Sequence, residues 1–103
     1  MANSRIKLIN FMVALRRLPP LSELSGEEER LLFELYNIAH DFQPVPMTDV
    51  YDLLGRKSRS TSYRTLVSLR DKGMVAFDMD TQDKRKRFVS FTDRAETVFK
   101  AFG

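Results

Sequence analysis

At Gly73 the apolar pattern changes period, and that switch constrains the fold more than any other feature of the chain. Up to Lys72 the apolar residues recur at helical spacing. Beyond Gly73 come two strand-like runs, about Met74 to Met79 and Arg87 to Phe91, joined by a polar loop through Thr81-Gln82-Asp83. A last helix is predicted from Thr92, with Ala95, Val98, Phe99 and Phe102 at i, i+3, i+4 and i+7.

Four helices are predicted upstream of the switch. The first, over 5–18, is apolar around much of its circumference: Ile6, Leu8, Ile9, Phe11, Met12, Val13, Leu15 and Leu18. That breadth predicts packing on two sides, one of them against a second copy of the chain. Pro19-Pro20 ends it. The second helix starts at Ser25, where Ser25 and Glu28 make a capping box and Glu27 to Glu29 place negative charge at the positive end of the helix dipole. Its core stripe is Leu31, Leu35, Ile38 and Phe42. Gln43-Pro44-Val45-Pro46 reads as an extended break. A short third helix is expected with Thr48 as N-cap, Val50, Leu53 and Leu54 inward and Gly55 as its stop. The fourth runs from about Ser60 to Lys72. Four helices, a hairpin and a helix predict an α+β, mostly α, winged helix-turn-helix in a single domain over 1–103.

Composition narrows the chemistry. The chain has no cysteine, which removes disulfides, thiol redox switches and cysteine-based zinc sites. Its only histidine, His40, falls near a helix end, where a surface or cap role is the ordinary one. With no cysteine nucleophile, no Gly-rich phosphate loop and one histidine, neither an enzyme nor a cofactor or metal site is expected. Arg5 and Lys7 before the apolar run Leu8 to Leu15 superficially resemble a signal peptide. Asn10 interrupts that run and Arg16-Arg17 close it, so the segment reads as a cytoplasmic helix and not as a membrane anchor.

Charge is distributed unevenly. Residues 1–52 carry five basic and eight acidic side chains, whereas residues 53–103 carry twelve basic and six acidic. A net −3 beside a net +6 within one domain points to a side that faces a polyanion. In the fourth helix, 100° per residue puts Ser62, Leu66 and Leu69 inside and Ser60, Arg64, Val67 and Asp71 outside, flanked by Thr61 and Tyr63. Hydroxyls and a guanidinium on the first turn suit base edges in a major groove, with Arg64 able to pair bidentately with guanine. Ser60 and Tyr63 suit phosphates, as do Arg56, Lys57 and Arg59 around the preceding turn. The run Lys84-Arg85-Lys86-Arg87 is the densest charge in the chain and suits a hairpin tip following a minor groove; it also matches a nuclear localisation cluster.

The stretch Arg59-Ser60-Thr61-Ser62-Tyr63-Arg64 through Leu66, Leu69 and Lys72-Gly73-Met74-Val75 resembles the recognition helix of the MarR family of transcriptional regulators. Asp80-Thr81-Gln82-Asp83-Lys84-Arg85 and Val89-Ser90-Phe91-Thr92 are similar to that family's wing, and the likeness covers roughly residues 25–95. The resemblance implies a dimeric, cytoplasmic, prokaryotic regulator bound to double-stranded DNA, with Ser60, Thr61 and Arg64 on DNA and Arg85 in the minor groove. It further implies that Asp80 and Asp83 hold the wing in shape. Ser62 and Thr65 depart from the pattern, which usually has apolar residues there, so looser packing of the helix is expected. Dimerisation falls to residues 1–18 and 92–103, with Ile9, Met12, Val13, Phe99 and Phe102 as the expected interface. The expected function is sequence-specific repression, with nucleoid association when bound. The alternatives are a winged helix used for protein contact and a plasmid or phage replication or partition factor. Neither the operator nor any small-molecule effector is legible.

Overall fold

The computed structural model describes residues 2–39, 43–53, 59–83 and 85–102. Helix α1 (Ala2–Arg17) leads through a single 3-10 turn, Leu21–Glu23, into α2 (Gly26–Ala39). Strand β1 (Val45–Pro46) and the one-turn helix α3 (Met47–Val50) precede α4 (Arg59–Asp71). Strands β2 (Val75–Met79) and β3 (Arg87–Phe91) form the hairpin, and α5 (Asp93–Lys100) follows. The fold is a winged helix-turn-helix: α3 and α4 form the helix pair, and β2–β3 the wing.

Local chemistry sets the helix boundaries. The Ser25 backbone N–H donates to Glu28 Oε1 at 2.6 Å and the Glu28 N–H to Ser25 Oγ at 3.2 Å, so the capping box closes in both directions. Thr92 caps α5 by accepting from the Ala95 N–H at 3.2 Å, and its own hydroxyl donates to the Gly73 carbonyl at 2.6 Å. At the end of α4 the Gly73 N–H donates to the Arg70 carbonyl and the Met74 N–H to the Leu69 carbonyl, both at 2.9 Å. That pair of bonds is a Schellman cap with Gly73 in the left-handed region, φ 78°. Leu69 and Met74, the residues such a cap brings together, are both fully buried.

The core sits between α2, α4, α5 and the sheet, around Leu31, Leu32, Leu35, Leu66, Leu69, Val75, Val89 and Ala95. The strands pair antiparallel in the order β1-β3-β2. Val45 faces Val89 and Pro46 faces Phe88 on one side of β3, while Val75 faces Phe91 and Met79 faces Arg87 on the other. The expected extended break is therefore partly a strand. It also moves the next helix: α3 begins at Met47 with Pro46 at its N-cap and no side-chain cap bond, so Thr48 lies inside the helix and not before it. Met47, absent from the expected core, is buried by that shift, and Leu53 is half-buried. His40, Phe42, Leu54 and Gly55 lie outside the described residues.

Helix α1 stands away from this core. From Ser4 to Ala14 its described side chains are exposed, and Leu8 and Ile9 keep 58% and 53% of their surface in solvent. It is held near its C-terminal end, where Arg16 pairs with Glu29 at 2.8 Å and Phe11 meets Phe102 edge-on at 6.1 Å. Among the described residues no helix is long and apolar enough to cross a membrane.

The Gly73 cap yields the first prediction. A Cβ there would meet only Arg94, at 3.8 Å or more, so the cost of Gly73→Ala comes from backbone conformation and not from crowding. Denaturant unfolding should show a loss of about 1–2 kcal/mol.

Candidate nucleic-acid interface

Helix α4 is oriented through its inner face. Ser62, Leu66 and Leu69 are fully buried there, and Thr65 nearly so. The expected looser packing at the two polar positions does not arise. Ser62 Oγ donates to the Tyr51 carbonyl and Thr65 Oγ1 to the Thr61 carbonyl, each at 3.0 Å, so both hydroxyls are buried with partners. No buried side-chain polar atom among the described residues lacks a hydrogen bond.

A buried carboxylate fixes the far end of α4. Glu28, on the first turn of α2, accepts from Lys72 Nζ at 2.6 Å and from the Ser68 hydroxyl, besides closing its capping box. Lys72 Nζ also donates to the Glu23 carbonyl at 2.8 Å. Arg94 of α5 joins the group through the Lys72 carbonyl at 2.8 Å and Glu23 Oε2 at 2.6 Å. Burial pushes the Glu28 pKa up, but hydrogen bonds from Lys72, the Ser25 N–H, Ser68 and the Ser25 hydroxyl outweigh it and lower the pKa from 4.5 to about 2.

With its inner face so held, α4 turns Arg59, Ser60, Tyr63 and Arg64 to solvent, while Thr61 is half-buried. The Arg59 guanidinium lies over the Tyr51 ring, 5.9 Å from its centroid. Further along, the Arg70 guanidinium lies over the Phe77 ring at 4.9 Å, tying α4 to β2.

The wing tip is shaped by two carboxylates. Asp80 Oδ1 accepts from the Gln82 N–H at 2.7 Å and the Asp83 N–H at 3.2 Å. Asp83 Oδ1 accepts from the Arg85 N–H at 3.0 Å and from Arg85 Nε at 3.3 Å. Backbone bonds between Asp80 and Lys86 and between Lys86 and Asp83, each 3.0 Å, close the turn. The two N–H donors, Gln82 first, and the nearby Lys86 charge hold the Asp80 carboxyl below the usual range. Arg85 keeps 93% of its side chain in solvent despite the contact with Asp83, and Lys86 and Arg87 are exposed beside it. Arg56, Lys57 and Lys84 lie outside the described residues.

One concavity, of about 430 Å3, lies between α3 and the base of the wing. It is lined by Thr48 and Tyr51 from the α3 side and by Arg85, Lys86 and Arg87 from the wing. Tyr51 thus meets the start of α4 through Arg59 and the base of the wing through the concavity. The sequence reading missed Tyr51. It also missed the second role of Glu28, whose partners Ser68 and Lys72 are forty and forty-four residues away.

The residues expected to form a dimer fall into two groups. Ile9, Met12 and Val13 are exposed on α1. Phe99 is half-buried, with ring centroids 4.4 Å from Tyr36 and 4.7 Å from Phe91, and Phe102 is exposed between Phe11 and Phe33.

No family model matches the sequence, and no curated protein matches it. Solved structures match it in fold. A MepR variant from S. aureus bound to an oligodeoxyribonucleotide superposes with a TM-score of 0.68 at 20% identity, covering 98% of this chain and 71% of that one. FabT from Streptococcus pneumoniae in complex with DNA gives 0.67 at 16% identity, with 98% and 68% covered. A MarR-like transcriptional regulator from Thermotoga maritima gives 0.63 at 19%, with 97% and 70% covered. The chain therefore has the winged helix-turn-helix fold seen in MarR-like regulators, over nearly its whole length.

The Glu28 cluster sets a measurable pH dependence. Because its folded pKa is lowered, the stabilisation is complete above pH 4.5 and is lost as pH falls through about 2. Glu28→Gln keeps an amide oxygen for the capping box but removes the charge. At neutral pH it should cost on the order of 2–3 kcal/mol, discounted for the access of Lys72 to water. Urea unfolding at stepped pH should show the gap between the two proteins closing across that acid interval.

Proposed function

We propose that this chain is a sequence-specific, double-stranded-DNA-binding transcriptional regulator that acts as a repressor. In this reading α4 enters the major groove and the wing the adjacent minor groove. The carrying observation is the joined cationic surface. Tyr51 lies under Arg59 at the start of α4 and lines the same concavity as Arg85, Lys86 and Arg87. Two proteins of the same fold, the MepR variant and FabT, are in complexes with DNA, which supports the same ligand here.

Roles follow from position. Arg64, exposed on the outer face of α4, pairs with a guanine edge; Ser60, Thr61, Tyr63 and Arg59 contact the backbone and neighbouring bases. Arg56 and Lys57 precede this helix in sequence and, with Lys84 of the basic run 84–87, add phosphate contacts. Arg85 enters the minor groove, with Asp80 and Asp83 keeping the turn that presents it. The protein performs no catalysis and works in the cytoplasm of a prokaryotic cell. A second copy covers the exposed apolar side chains Ile9, Met12 and Val13 of α1 and, at the other end of the chain, exposed Phe102 with half-buried Phe99. A two-fold dimer of this kind reads a palindrome with half-sites about one helical turn apart.

Selection from a random duplex pool at fixed salt tests the reading. An enriched palindrome is expected, with Arg64→Ala relaxing preference at one base pair per half-site by roughly 1–3 kcal/mol. Arg85→Ala should weaken binding to selected sequences and reduce its salt dependence. Failure of the protein to retain any duplex overturns the proposal and favours protein contact as the role of the fold. Sedimentation at micromolar concentration should give a dimer, and Met12→Lys should shift it toward monomer; a monomeric wild type removes the two-fold arrangement.

A further inference from the structure

A protein that reads a major groove with one element and the next minor groove with another must straddle the sugar-phosphate strand between them. Whatever lies between α4 and the wing faces that strand. In this fold the intervening segment is α3, which packs against β1 and β3 and reaches the start of α4 through Tyr51. We propose that the concavity between α3 and the base of the wing is a phosphate seat. Thr48 and Arg87 hold one phosphodiester of the intervening strand there, and Tyr51 positions Arg59 beside it. This inference rests on the DNA-binding reading and adds to it a specific backbone contact.

The lining chemistry supports an anion. Thr48 and Tyr51 supply hydroxyls, and Arg85, Lys86 and Arg87 supply positive charge, over an apolar floor of Pro46, Met47 and Phe88. Among the described residues no carboxylate lines this concavity. Asp49 and Asp52 are exposed, and neither is part of the lining. A second concavity, between α2 and α4, differs: Arg64 shares it with Glu27 and Glu28, which would repel a phosphate.

The two sides of the seat are also held in fixed relation. Pro46 pairs with Phe88 across the sheet, so the start of α3 is registered against the residue that follows Arg87. Thr48 follows Pro46 by two residues; it is exposed, and helix capping does not use its hydroxyl. At the other end Tyr51 is pinned by its carbonyl, which accepts from buried Ser62 Oγ at 3.0 Å, while its ring lies under Arg59. A phosphate held here sets the register of the protein along the duplex and carries no base information of its own.

The test is fluorescence anisotropy with a labelled mixed-sequence duplex of roughly 30 base pairs, titrated between about 50 and 200 mM salt. Arg87→Met should weaken binding and lower the slope of log affinity against log salt by about one. Thr48→Val removes a neutral donor, so it should weaken binding about 3- to 10-fold with the slope unchanged. The double variant should lose less than the two single losses combined, because both act on one phosphate. Arg87→Lys, which keeps the charge and guards against a folding defect, should retain the wild-type slope. An unchanged slope in Arg87→Met, or unchanged affinity in Thr48→Val, overturns the seat while leaving the DNA-binding reading in place. A wild type that binds no duplex overturns both.

Discussion

The arrangement of this molecule depends on one buried carboxylate. Glu28 closes the first turn of α2 and, with its remaining lone pairs, takes hydrogen bonds from Ser68 and Lys72 near the end of α4. A buried charge is tolerable only where hydrogen bonds and an opposite charge replace its water, and Glu28 has both. The same atoms therefore fix where α2 begins and how α4 lies across it. Arg94 extends the hold to α5 by spanning Glu23 and the Lys72 carbonyl. Apolar packing of Leu31, Leu35, Leu66 and Leu69 brings these helices together, but it is tolerant of sliding. The directional bonds at Glu28 remove that freedom.

Tyr51 does for the start of α4 what Glu28 does for its end. Its carbonyl holds the Ser62 hydroxyl inside the core, and its ring supports Arg59 outside. Helix α3 is only one turn long and has little stability of its own. Its place is fixed by its neighbours: β1 on one side, through pairing with β3, and α4 on the other. A short element between two larger ones can thus carry surface groups whose spacing is as well defined as that within a long helix.

What the sequence made legible was whatever is encoded within a few residues. The capping box at Ser25, the stop at Gly73 and the two hairpin strands all rest on neighbours in the chain, and each is present; the last helix, expected from Thr92, starts at Asp93 with Thr92 as its cap. The misreadings came from long-range pairing. Val45-Pro46 looks like a break because its partner, Val89-Phe88, lies more than forty residues away, and that pairing moves the start of α3 ahead of Thr48. Ser62 and Thr65 looked like weak points because apolar residues were expected there. Their hydroxyls instead bond backbone carbonyls, and Ser62 shows how a detectable signal was passed over: a hydroxyl in a buried stripe requires an acceptor. The outer face of α4 was legible by helical period alone. Its connection to the wing through Tyr51 was not, because nothing local marks an aromatic residue as the support of a guanidinium eight positions later.

The wing is built on a different plan from α4. Among the described residues, Asp80 and Asp83 bond only within the turn, and Arg85 projects from it almost wholly into solvent. Helix α4 owes its position to residues spread from Glu28 to Arg94, so a change on its inner face disturbs the whole domain. A change at the wing tip stops at the turn. Selection acting on such a chain has two separate handles: while Asp80 and Asp83 keep the turn, the exposed basic side chains beside it can be exchanged to raise or lower the grip on a polyanion, whereas the inner face of α4 tolerates little drift.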